Sequence, residues 1–137
     1  MNKIIYYYQT FTGLQPILTN PIKTTHIIVA SIHFGKDSKQ QPYIHLNDYK
    51  PDDKRFITVW DECKQAHEKG ITIMVMVGGA GGAYEVLFSN FDLYYPMLRK
   101  LIKQYPFIQG VDLDIEETVS LTNVKKLINQ LTPDFGT

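Results

Sequence analysis

Four stretches of the chain are apolar and rich in β-branched or aromatic residues: 4–8, 26–34, 71–77 and 107–115. Each has the length of a buried strand. Ile27-Ile28-Val29 and Ile73-Met74-Val75-Met76-Val77 hardly alternate, the pattern of parallel strands covered on both faces. Helical spacing fills the intervals. Phe56, Val59, Trp60, Cys63 and Ala66 share one face after Asp52 or Asp53, either of which can cap, and Gly70 ends that helix. Leu93, Met97, Leu98, Leu101 and Ile102 repeat the spacing, with Pro96 tolerable only in a first turn. Ser120 can cap a last helix bearing Leu121, Val124, Leu127, Ile128 and Leu131. The crossover 12–25 carries Gly13, Pro16 and Pro21, so any helix there is short. Residues 35–51 read as a polar loop in which Tyr43-Ile44-His45-Leu46 can add a small hairpin arm. The order β-α-β-α-β-α-β-α predicts right-handed crossovers and a parallel α/β sheet in one domain, with no internal repeat or linker.

Composition narrows the classes of partner. The chain has 137 residues, with 14 Lys plus Arg against 14 Asp plus Glu and hence no net charge. No basic run suggests nucleic acid. No stretch is long enough to span a bilayer, and the run Ile4 to Tyr8 is too short and aromatic for a signal-peptide core, so the cytoplasm is the expected compartment. Cys63 is the only cysteine, which excludes an intrachain disulfide and fits a buried inert thiol.

The chemistry concentrates at Val111-Asp112-Leu113-Asp114-Ile115-Glu116-Glu117. Strand alternation puts Asp112, Asp114 and Glu116 on one face and the apolar residues on the other. Three carboxylates along one edge repel each other, and confinement makes their charged forms costly, conditions that suit a general acid. The plain rival is a solvated strand face; a site for a hard cation is a third reading, weakened because such ligands usually spread over loops. Glu117 points the other way and is read as a structural or loop contact. His26, His33, His45 and His67 have no ligand spacing and are read as ordinary structural or surface residues. In Gly78-Gly79-Ala80-Gly81-Gly82-Ala83-Tyr84 a dinucleotide fingerprint would need Gly at position 84, and the phosphate-loop ending Gly-Lys-Ser/Thr is missing. No metal or other cofactor is expected.

Gly110, Asp112, Asp114 and Glu116 match the fourth-strand signature Asp-Gly-x-Asp-x-Asp-x-Glu of glycoside hydrolase family 18, with Gln109 in place of the first Asp. Met76-Val77-Gly78-Gly79 resembles the family's third-strand Ser-x-Gly-Gly, with Met76 in place of Ser. The chain therefore resembles the N-terminal half of that family's catalytic (β/α)8 TIM barrel, four strands with three to four helices, and 1–137 is read as one partial catalytic domain. The resemblance implies a retaining chitinase or endo-β-N-acetylglucosaminidase that uses the substrate's own acetamido group. It makes Glu116 the general acid/base, Asp114 the partner of the acetamido group and Asp112 a deeper modulator sharing a proton with Asp114. Gly78 and Gly79 would let backbone pass close to a sugar. Tyr7, Phe34 and Tyr84, near strand ends, are candidates either for sugar stacking or for core packing.

The family also uses a Tyr and a Trp from later strands; Trp60, on a helix face, does not replace them. A closed barrel of this class takes roughly 250 residues. Half a barrel leaves an apolar interior layer and two unpaired edges, so three states are expected to compete: part of a longer enzyme, a homodimer pairing its edges, or a flattened open sheet. The favoured expectation is a truncated product that self-associates. The alternative to a glycosidase acting on N-acetylglucosamine-containing oligosaccharides is a non-catalytic, lectin-like carbohydrate-binding protein of the same fold.

Overall fold

The computed structural model describes residues 2–20 and 23–136. Pro21, used above as a breaker of the first crossover, lies outside them. Strands β1 (Ile5–Tyr8), β2 (His26–Lys36), β4 (Thr72–Gly78) and β5 (Ile108–Asp114) form a parallel sheet in that order. β3 (Pro42–Leu46) returns antiparallel onto the upper part of β2, so the expected hairpin arm exists and β2 runs two residues past the anticipated end. Helices α1 (Gln15–Thr19), α2 (Ile57–Glu68), α3 (Ala83–Ser89), α4 (Phe91–Gln104) and α5 (Leu121–Asp134) complete an open α/β sheet, half of a TIM barrel.

Two local expectations change. The sequence pattern misses α3, a short helix that begins directly after the glycines. Pro96 is the sixth residue of α4, not part of its first turn. Proline there has no N–H for the Asp92 carbonyl, yet the helix holds because Tyr94, Tyr95, Leu98, Leu101 and Ile102 bury its inner face. The caps are local and follow the sequence. Asp53 Oδ1 accepts the Arg55 N–H at 3.0 Å, opening a 3-10 turn (Lys54–Phe56) that leads into α2. Ser120 Oγ accepts the Asn123 N–H at 3.1 Å at the start of α5.

The two sheet faces have different contents. Ile27, Val29, Ile73, Val75 and Val77 point into the main core beneath the helices. Ile28, Ala30 and Met76 form a separate small cluster with Met74 on the other face. Strict alternation would place Ser31 and His33 with Ile27 and Val29. A register shift between Val29 and Ile32, where the Ala30–Ser31 peptide is cis, reverses the parity. Ile32 and Phe34 thereby enter the main core, and Ser31 and His33 join the opposite face. On β1, Ile5 and Tyr7 remain about half exposed.

Glu62 is the exception on the buried face of α2, only 6% exposed. Its carboxyl group accepts the Tyr8 hydroxyl at 3.0 Å and the Leu14 N–H at 2.5 Å. It satisfies two buried donors and ties the loop after β1 to α2. Removing it in Glu62→Ala leaves both donors unpaired and should cost about 2–4 kcal/mol in denaturant unfolding. Burial also pushes the Cys63 thiol up to about 12, with the neighbouring Glu62 adding to the rise. A folded value above the ordinary 9.0 means the protonated thiol stabilises fully below pH 9, and that contribution is lost as pH rises towards 12. Native Cys63 should therefore resist thiol reagents at neutral pH and react at the rate of unfolding, as followed by disulfide-exchange colorimetry.

Candidate active site

The polar chemistry gathers at the C-terminal ends of the strands, the functional end of barrels of this class. An open pocket of about 890 Å³ lies there, and Asp112, Asp114 and Glu116 all line it. Register explains the first two: Asp112 sits beside Met76 and Asp114 beside Gly78 on the adjacent β4. Val111 and Leu113 turn the other way and pack on the main core. The strand ends at Asp114, so Glu116 stands two residues beyond it, exposed. Among the described residues Glu116 and Asp114 have no side-chain hydrogen bond or ion pair, whereas Asp112 Oδ2 accepts the Tyr7 hydroxyl at 2.9 Å. That bond raises the Tyr7 phenol, helped by partial burial and the charges of Asp112 and Asp114.

The two glycines answer to the protein itself. Gly78 has φ +105°, and a Cβ there would lie 2.2 Å from the Asp114 carbonyl oxygen and 2.6 Å from the Tyr84 ring. Gly79 has φ +86° and donates its N–H to that same carbonyl at 2.9 Å. At Gly78 the neighbouring strand end and Tyr84 occupy the space a side chain would need. At Gly110 the constraint is softer: its Cβ would stand 3.1 Å from Cε at the flexible end of Met74. Gln109, where the signature has Asp, accepts the Ile73 N–H at 3.4 Å beside a register shift.

The aromatic candidates separate by burial. Tyr7 is 47% exposed and lines the pocket. Phe34 reaches the pocket wall but is 4% exposed and packs edge-on against Tyr94, centroids 5.8 Å apart. Tyr84 is fully buried, and its hydroxyl donates to the Val77 carbonyl at 2.6 Å. Neither ring offers a face for stacking; both resolve to packing. Burial raises the Tyr84 phenol, and Asp112, Asp114 and Glu117 add to it. Glu117 is a loop contact, its carboxylate accepting the N–H groups of Tyr84 at 2.8 Å and Glu85 at 2.9 Å at the start of α3.

Sequence spacing missed Ser31, His33, His45 and Asn47, which line the same pocket. The β2–β3 pairing sets His33 opposite His45, their rings stacked with centroids 5.6 Å apart. Asn47 Oδ1 accepts the Ser31 N–H at 3.2 Å, and its Nδ2 donates to the Gln9 carbonyl at 3.2 Å. The available signal was the Tyr43–Leu46 hairpin arm, which had to be folded back before the histidines could meet.

No family model matches the sequence, and no curated protein is significantly similar to it. Solved structures are. The chitinase ChiC from Aspergillus fumigatus superposes with a TM-score of 0.89 at 32% identity, covering 99% of this chain and 51% of that one. A fungal endo-β-N-acetylglucosaminidase of glycosyl hydrolase family 18 gives 0.87 at 33% identity, covering 99% and 52%. The chain is similar to family 18 glycoside hydrolases. A family 18 chitinase from Pseudoalteromonas aurantia shares the fold at a TM-score of 0.64 and 18% identity. The chain spans about half the length of these structures. Among the described residues, no three His, Cys, Asp or Glu side chains converge as a metal site, and no helix is long and apolar enough to cross a membrane.

Two glycines with positive φ should respond differently to alanine. Gly78→Ala drives a Cβ into backbone and should cost at least about 3 kcal/mol. Gly70→Ala, at φ +87° with nothing within 4 Å, should cost only about 1 kcal/mol. Chemical denaturation of both variants measures the contrast.

Proposed function

We propose that the pocket is the acid/base half of a retaining glycosidase site for N-acetylglucosamine-containing glycans, of the chitin or N-glycan-core type. The observation that carries the reading is the exposed, unpaired Glu116 carboxyl group beside Asp114 and Asp112 in one pocket. The similarity to a chitinase and an endo-β-N-acetylglucosaminidase supports it.

In this reading the Glu116 carboxylic acid gives its proton to the glycosidic oxygen as the bond from that oxygen to the anomeric carbon breaks. The acetamido carbonyl oxygen of the same sugar attacks the anomeric carbon from the opposite face, forming an oxazolinium ion. Asp114 accepts the acetamido N–H and balances the positive charge that develops. Glu116, now a carboxylate, takes a proton from water as that water opens the oxazolinium, and the configuration is retained. Asp112, held by Tyr7, sits behind Asp114. The wall has no Lys or Arg among its described residues, while Asp48 adds a fourth carboxyl group, a setting that favours developing positive charge.

Glu116→Gln should lower the release of chromophore from a chitobioside by at least about 100-fold, the usual share of a general acid. Unchanged turnover in that variant would overturn the reading. A wild-type chain that binds chito-oligosaccharides in calorimetry without cleaving them would instead support the non-catalytic carbohydrate-binding alternative.

A further inference from the structure

We propose that His33 is a positioning residue of this site, held as an imidazolium whose two N–H groups brace the glycine turn. Ser31 has one hydroxyl proton, and its Oγ donates to the Gly78 carbonyl at 2.5 Å. Towards His33 Nδ1, 3.2 Å away, that oxygen can then only accept. On the other side of the ring, Nε2 faces the Ala80 carbonyl at 3.0 Å, which also can only accept. Both nitrogens therefore donate, and an imidazole that donates twice is cationic.

The geometry gives the charge a task. Ser31 holds Gly78 and His33 holds Ala80, so the two residues between them clamp the turn on both sides of Gly79. Gly79 in turn donates to the Asp114 carbonyl. The ring also lies against the turn, 3.3 Å from where a Gly81 Cβ would stand. The brace thus reaches the carboxylate strand through one continuous path of hydrogen bonds. Asp48, Asp112, Asp114 and Glu116 line the pocket with His33, and His45 stacks on its ring, followed by Tyr43. Among its described residues the wall carries four carboxyl groups and no Lys or Arg, a setting that favours a cationic ring.

A role in catalysis rests on the glycosidase reading; the brace itself does not. It is tested in the ligand-free chain by following the His33 ring nitrogens by long-range proton–nitrogen NMR across pH, with Gly79 amide exchange measured in parallel. Both ring nitrogens should carry protons while Gly79 is protected. His33→Ala and Ser31→Ala should each speed Gly79 exchange by about tenfold or more, the factor that one charge-assisted hydrogen bond is worth. A ring with a single N–H in the protected state would overturn the proposal. So would a folded His33→Ala chain with unchanged Gly79 exchange. Should the variants not fold, the wild-type ring spectrum alone decides. Glycosidase activity is read separately, so its absence would remove that reading and leave the brace standing.

Discussion

The pocket depends on one backbone seam between β4 and β5. The Asp114 carbonyl occupies the space where a side chain at position 78 would begin, and it accepts the next N–H, that of Gly79. Contact this close is open only to glycine at position 78. A second anchor follows three residues later, where Glu117 caps the N–H groups of Tyr84 and Glu85. Glu116 lies between the two anchors. Its backbone is held on both sides while its side chain stays in solvent, so the carboxyl group is both placed and accessible.

The carboxyl groups are alike in type but not in setting. Asp112 is bound by Tyr7 within the strand, Asp114 sits at the strand end against the glycine turn, and Glu116 projects beyond it. Below them the same sheet face carries Ile28, Ala30 and Met76, so the charged rim rests on an apolar floor. Met76, where the family signature has Ser, belongs to that floor and offers Asp112 no hydroxyl donor. Tyr7 is therefore the side chain that bonds Asp112 among the described residues.

Much of the fold was legible because its signals are local. The unbroken apolar runs marked parallel strands, Ser120 and Asp53 cap the helices that follow them, and the order of elements set the crossovers. Other features were hidden for a physical reason. Tyr84 and Phe34, near strand ends, suit stacking or packing equally by sequence, and α3 and α4 carry the packing partners that bury them. Glu62 reads as a polar position on α2 until the loop after β1 presents two donors to it.

The carboxylate face of β5 was determined by sequence alone, because alternation along a regular strand needs no partner. So was the glycine requirement near Gly78, though not its cause. Tertiary structure alone decided that Ser31 and His33 enter the pocket. Alternation assigns them to the core, and a register shift against β4 turns them out. Their bonds to Gly78 and Ala80 each span 47 residues, a pairing that depends on how separate strands align and that no local pattern encodes.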